Sequence, residues 1–426
     1  MKTARQIWRL VLARALRAQM PPPRESKMRS RRDLAYLLSL GLLALVMGAT
    51  YGCSNSSDGH SLFGIGSAAF PTTPKFLIAV DSSGAGANIN VFPINATTGV
   101  LGAPVSGSPF DRGMVCAITV AVHPNGHFVY AADSNDGSIH MWDVNETTGV
   151  PTEIAPRVIN ESGNFFQPNS GACGGDDPTH VLTVTPNGRF LYATNNDAMV
   201  SAYSIGSNGA LSHIGDLNVG ASNTGAITAN NSFAWVTDTN STSCGTVWHV
   251  MTMRIGSNGA LTNVSTATLT SVFCWLWSIS VSPDGRFVQV GDEGGNAQVY
   301  SFTVGADGSL TQAGPQVVLT NSSDARDIAF SPDSLFFYIT DDDAEIHALQ
   351  QNANGTFTEL GASPYTGDDG QVVVDLTGRF VYSGGCTDCL GVYGYTRDAT
   401  TGALTPIAGS PVATANNDVM AVGIIR

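Results

Sequence analysis

The stretch PTHVLTVTPNGRFLYATNNDAMVSAYSIGSNGALSHIGDLNV, residues 178–219, decides the fold. It holds two turn signals, Pro186-Asn187-Gly188 and Ser207-Asn208-Gly209, set between alternating apolar and polar runs rich in Val, Leu, Ile and Tyr. Gly and Asn tolerate the positive φ of tight hairpins, and alternation turns one side of each strand toward a core. The reading is four short antiparallel strands, a to d.

Nearly the same unit recurs along the chain. The c-to-d hairpin signal appears in seven copies: residues 95–101 (NATTGVL), 145–150 (NETTGV), 206–211 and 256–261 (GSNGAL), 305–310 (GADGSL), 352–357 (NANGTF) and 398–404 (DATTGAL). The a-to-b turn appears at Pro124-Asn125-Gly126, Pro186-Asn187-Gly188, Pro283-Asp284-Gly285, Pro332-Asp333-Ser334 and Leu376-Thr377-Gly378, with a degenerate copy at Asn230-Asn231-Ser232. Repeats at this spacing encode an all-β, seven-bladed β-propeller of four-stranded antiparallel blades. The first unit begins directly with its b strand at Phe76, and the last segment, residues 419–425 (VMAVGII), has no turn after it. That segment is therefore expected to pair into blade one and close the ring, removing an exposed sheet edge.

The composition agrees. In 426 residues there are 47 Gly, 13% charged and 43% hydrophobic residues, as tight turns and buried strands require. The net charge of −14 hides a segregation, because ten Lys or Arg fall within residues 1–52 and leave 10 basic against 32 acidic residues beyond, a net charge of −22. Such a surface repels nucleic acid and anionic membrane.

Arg29, Arg31 and Arg32 precede an apolar run over residues 34–49 and then Thr50-Tyr51-Gly52-Cys53. A basic flank, a short apolar core and small residues before a cut form a secretory signal. Residues 1–52 are read as basic n-region and signal peptide, starting at Met1 or Met28. Residues 53–74 are a flexible tether after a lipidated Cys53, and 75–426 the propeller. The expected location is extracytoplasmic, on a bacterial membrane through the lipid anchor only or secreted, with the protein a monomer.

The "SPDGRF" turn at residues 282–287 and the "TTGALTPIAGSP" hairpin at 400–411 resemble those of the seven-bladed lactonase propellers, the 6-phosphogluconolactonase type and its exported YVTN-repeat relatives. The resemblance implies a lactone (carboxylic ester) hydrolase without a cofactor. It places the family's histidine on His180 and the family's Asn-Glu pair on Asp292-Glu293. Two family arginines fall on Trp277 and Asp342, which removes the anchors of a phosphorylated lactone.

In an up-and-down blade the d-to-a and b-to-c loops open on one face. That face collects Cys116, Cys173, Cys244, Cys274, Cys386 and Cys389, an even set once Cys53 is lipidated, which in an oxidising compartment favours disulfides. Adjacency suggests Cys116 with Cys173, Cys244 with Cys274 and Cys386 with Cys389; the alternative for the last pair is a redox or metal site. Carboxylates recur there as Asp81, Asp133, Asp238, Asp292 and Asp341, with Asn195, at the end of strand b. Each is expected to cap the loop that follows; converging carboxylates holding a divalent cation such as Ca²⁺ are the alternative.

Two functions stand at this point. One is a lactone hydrolase using His180 and Glu293 at the pore, Arg326 or Arg112 as clamps, and Trp277 and Asp292 against the substrate. The other is a non-catalytic propeller whose acidic, disulfide-braced face binds a protein or surface glycan.

Overall fold

Each a-to-b and c-to-d turn forms where its sequence predicts. The glycine of the turn takes a left-handed conformation, as at Gly188 (φ 69°) and Gly209 (φ 80°). In the NATTG, NETTG and DATTG hairpins one side chain organises the turn. Oδ1 of Asn95 accepts from the amides of Thr97 and Thr98, and Asn145 and Asp398 repeat the arrangement.

In this computed structural model, the described residues are 72–82, 87–159, 181–195, 198–220, 224–238, 247–270, 275–294, 296–385, 390–415 and 417–426. Over these the strands assemble into seven antiparallel sheets, each a blade. Blade three, from the diagnostic stretch, runs Leu182–Val184, Phe190–Thr194, Met199–Ile205 and Leu211–Asn218. Blades five and six, which carry most of the chemistry below, open with strand a at Leu276–Val281 and Ala325–Phe330.

The closing segment does what its sequence requires. Strand Val419–Ile425 pairs antiparallel with Phe76–Ser82, from Phe76↔Ile425 to Asp81↔Val419, and supplies the innermost strand of blade one. All seven of its residues are buried.

Seven apolar clusters lie between consecutive blades. The cluster joining blades seven and one, for example, sets Leu77, Phe92 and Val422 against Phe380, Tyr382 and Ile407. Fully burying one such side chain stabilises by about 1.5–3 kcal/mol, so the ring is held by its blade-to-blade contacts.

The sequence motif Gly-Arg-Phe acquires a physical meaning here. Its aromatic ring packs on the positive-φ glycine of the next blade's c-to-d turn: a Cβ at Gly259 (φ 87°) would meet Phe190 at 2.4 Å. Its arginine lies over that ring and donates to a carbonyl of the same turn, as Arg189 does to Ser257, Arg286 to Ala353 and Arg379 to Ala96. Two residues on, a tyrosine hydroxyl donates to the glycine carbonyl, Tyr130 to Gly209, Tyr192 to Gly259, Tyr338 to Gly402 and Tyr382 to Gly99. Trp235 does so through Nε1 to Gly308. The same a-to-b turn thus latches five blades to their successors through a buried hydroxyl or indole donor.

Candidate functional site

Strand a enters each blade from the loop face, and in several blades its first residues carry a β-bulge. The register shifts between Ala117 and Thr119, Leu276 and Ser278, and Ala325 and Asp327. The extra residue in each case is Ile118, Trp277 or Arg326. Bulges re-aim side chains, and here the bulged residues of adjacent blades five and six meet. The Arg326 guanidinium lies 4.5 Å from the Trp277 ring centroid, and Trp277 stacks on Trp275 at 5.9 Å and 26°.

Arg326 is 3% exposed and already matched by carboxylates. Its Nε donates to Oδ1 of Asp342 at 2.7 Å, Nη2 donates to the same oxygen, and Asp324 lies at 4.0 Å. Burial alone would lower the guanidinium's proton affinity, but Asp342, Asp324 and Asp369 together raise it. Glu293 joins this group through a backbone bridge to Asp324, its own carboxylate half-buried. Burial, then the hydrogen bond and charge of Asp342, push Asp324 up to about 6 against the pull of Arg326.

The residue preceding strand a repeats this acidic character. Asp418 precedes Val419 of blade one as Asp324 precedes Ala325 of blade six, and it too is raised to about 6, by burial and then by Asp369 and Asp81. The mouth therefore offers two carboxyl groups that titrate near neutrality, an aromatic pair and a buried, compensated cation.

Of the expected site residues, the structure brings together Glu293, Arg326 and Trp277. Asp292 is wholly buried and accepts from the Gln298 amide at 2.6 Å and the Tyr300 hydroxyl at 3.3 Å, capping its own loop. Asp81, Asp133, Asn195 and Asp341 accept the same kind of loop amide. Arg112 must be corrected. It lies on the outer strand of blade one, Phe110–Met114, over the Phe110 ring, and donates to the Pro151 carbonyl of blade two, so it is no clamp at the mouth. The long connection from Pro93 to Phe110 carries strand d further along the chain than the hairpin signal suggested.

His180, residues 53–71 of the tether with Cys53, and Cys173, Cys244, Cys274, Cys386 and Cys389 lie outside the described residues. Cys116 is described, and is buried at 2% exposure. Sequence reasoning passed over Asp324 and Asp418; their signal is the place each holds just before strand a. It also passed over a buried cluster in blade six. His347, with no exposed surface, sets Nδ1 2.6 Å from Glu359 Oε1 and Nε2 2.9 Å from Asp341 Oδ2. Burial lowers its affinity for a proton, but the two carboxylates outweigh this and carry it to about 9.

A cavity of about 150 Å³ sits at the other end of the inner strands, lined by Val120, Val122, Val374, Val422, Ile424 and Arg426 among others. It is a largely apolar recess of the turn face with Asp375 in its wall, away from Asp324 and Asp418.

A seven-bladed ring with bulged residues and ionisable groups gathered at one mouth is the architecture of a pore-site propeller. The profile of the family described as Lactonase, 7-bladed beta-propeller, matches residues 154–416, more than half of the chain, and the protein belongs to that family. No curated protein matches. Among solved structures, a candidate 6-phosphogluconolactonase of Bacteroides uniformis is 17% identical, covers 83% of this chain and 100% of its own, and superposes with a TM-score of 0.65. The periplasmic gluconolactonase of Pseudomonas aeruginosa is 15% identical, with coverage of 83% and 99% and a TM-score of 0.62. At these identities the likeness is one of fold.

Proposed function

We propose that the protein is an exported, lipid-anchored lactone hydrolase acting on an uncharged lactone at the loop-side mouth of the propeller. The observation that carries this reading is the juxtaposition of Glu293 and Asp324, half-buried or buried carboxyl groups on bridged backbone, with Arg326 over Trp277. In the reaction a carboxylate, with His180 as the family histidine, takes a proton from water. The water oxygen bonds to the lactone carbonyl carbon, the acyl–oxygen bond breaks, and the ring oxygen leaves with a proton as the alcohol of the hydroxy acid. A carboxyl group held near 6 suits this exchange at neutral pH. Trp275, the partly exposed member of the stacked pair, supplies an apolar surface for a sugar-like ring, while Trp277, 2% exposed, backs it from within the core.

The charge state of the mouth supports an uncharged substrate. Arg326 is occupied by Asp342 and Asp324, so a phosphorylated or carboxylated lactone meets net negative charge. That same pairing favours the second reading, a non-catalytic propeller that binds a glycan or protein on this face.

The deciding experiment assays the purified chain against uncharged and anionic lactones, with Asp324→Asn, Glu293→Gln and His180→Ala beside it. The expected result is hydrolysis of the uncharged class and a fall of about 10²-fold or more in kcat for at least one carboxylate variant, the scale of general-base catalysis. Hydrolysis unaffected by all three substitutions would end the catalytic assignment.

A further inference from the structure

The seven blades compare one protein with itself. The residue ending strand b, the residue opposite it on strand c, and the one two further along occupy equivalent places in every blade. In blade one these are Asp81, Asn88 and Asn90; in blade five, Asp292, Gln298 and Tyr300. The recurring aspartate caps its loop, which accounts for its presence throughout. Blade six alone among the described blades fills all three places with strong metal-ligating side chains, Asp341, Glu345 and His347.

The three groups converge. One ligand atom from each lies within 4.8 Å of the others. Divalent transition metals sit about 2.0–2.2 Å from nitrogen and carboxylate ligands, which sets neighbouring ligand atoms roughly 3 Å apart. His347 Nε2 and Asp341 Oδ2 are 2.9 Å apart, so a proton between them can give way to a metal ion with little movement. Glu345 is partly buried, and its Oε2 is shielded from solvent with no hydrogen-bond partner.

The outer groups of the cluster have the form of a metal-site support. His347 Nδ1 faces Glu359 Oε1 at 2.6 Å, the carboxylate–histidine arrangement that fixes the ring orientation of a ligating imidazole. Glu359 is itself fixed, accepting from the Ser363 hydroxyl at 2.9 Å and from the Thr320 amide and hydroxyl at 3.2 and 2.9 Å.

We propose that blade six holds one divalent transition-metal ion on Asp341, Glu345 and Nε2 of His347, with Glu359 as the partner that orients the histidine. The imidazole ligand separates this site from the calcium alternative, since Ca²⁺ takes oxygen ligands while Zn²⁺ and Mn²⁺ accept a mixed nitrogen and oxygen set. The proposal does not rest on the lactone reading. Its role is to pin strand b to strands c and d where the b-to-c loop turns.

The test uses the full chain, stripped with a chelator and titrated with Mn²⁺, which avoids competition from thiols. Binding is read by the loss of the free-ion paramagnetic resonance signal, and stability by thermal melting. The expected result is one equivalent bound and a raised Tm. Glu345→Gln, a half-buried and nearly isosteric change, should weaken binding at least 10-fold while leaving the Tm in chelator unchanged. Glu359→Gln should weaken it 10–100-fold, the range seen for outer-shell partners. If Glu345→Gln fails to fold, Glu359→Gln decides alone. No saturable Mn²⁺ binding, or binding that the folded variants leave intact, overturns the proposal.

Discussion

Arg326 and Asp342 form a charge pair at the mouth, with Nε of the arginine donating to Oδ1 of the aspartate at 2.7 Å. The arginine side chain is 4% exposed and the aspartate 34%, so the carboxylate is the half of the pair that solvent and ligand reach. This relationship sets the polarity of the site. An arginine that lies on a tryptophan and is neutralised from above presents a carboxylate to whatever enters.

Replacing Asp342 with Ala should therefore uncover the guanidinium. On the lactonase reading, kcat/KM for an anionic lactone relative to an uncharged one should rise about 10-fold or more, a difference of about 1.4 kcal/mol in transition-state binding. The check is a pair of steady-state assays on wild type and D342A. A ratio that stays fixed in the folded variant would show that Arg326 does not face the substrate.

The two raised carboxyl groups make stability depend on pH with a definite sign. Asp324 and Asp418 stand near 6 in the fold against an ordinary value of 3.8. Between pH 4 and 6 the folded chain thus holds more protons than the unfolded one. Stability from these groups is greatest below about pH 4, falls as pH rises through 6, and stays low above. Asp418→Asn removes a charge that burial, Asp369 and Asp81 disfavour, so it should raise the Tm at pH 7.5 and change it little at pH 4. Melting curves across that range check it; an equal effect at both ends would mean that Asp418 titrates normally.

The tyrosine latch between blades can be tested at one atom. The Tyr192 hydroxyl is buried and donates to the Gly259 carbonyl at 3.0 Å. Tyr192→Phe keeps the ring packing and leaves that carbonyl without its partner, a cost of about 1–3 kcal/mol. Chemical denaturation should show a lower midpoint with an unchanged slope. A midpoint within error of wild type would assign the latch to packing alone.

The fold was legible because its signals are local. Pro-Asn-Gly and Asn-X-Thr-Thr-Gly each specify a turn within a few residues, and the loop-capping role of Asp133, Asp292 and Asp341 follows from adjacency in the chain. The site was legible only in part, because its geometry depends on register. Ala325 pairs with Asp341, and one bulged residue then throws Arg326 onto Asp342 and Trp277. Without that bulge in view, Arg326 reads as an available cation and Arg112 as its equal. The Asp341–His347–Glu359 cluster is spread over three strands, and nothing in the spacing of 341, 347 and 359 announces a shared site.

The ring's closure gives the most severe test of the architecture. Strand Val419–Ile425 contributes Val419, Ala421, Val422 and Ile425, each fully buried, to the clusters that join blade one to blades two and seven. It also carries the Arg426 backbone amide to the Gly126 carbonyl at 2.9 Å and the guanidinium to the His123 carbonyl at 3.3 Å, stitching the final residue into blade two. Deleting residues 417–426 would leave Phe76–Ser82 as an open edge in the pore and expose apolar faces on two neighbouring blades. An unpaired inner strand invites pairing with another chain, so the truncated protein should aggregate or lose its cooperative melt. Restoring only the backbone strand, by changing Ala421 and Val422 to Ser in the full chain, should keep the pairing while removing apolar contact. That double variant should stay soluble and melt cooperatively at lower temperature. A soluble truncation with a sharp melt would show that the ring holds without its closing strand.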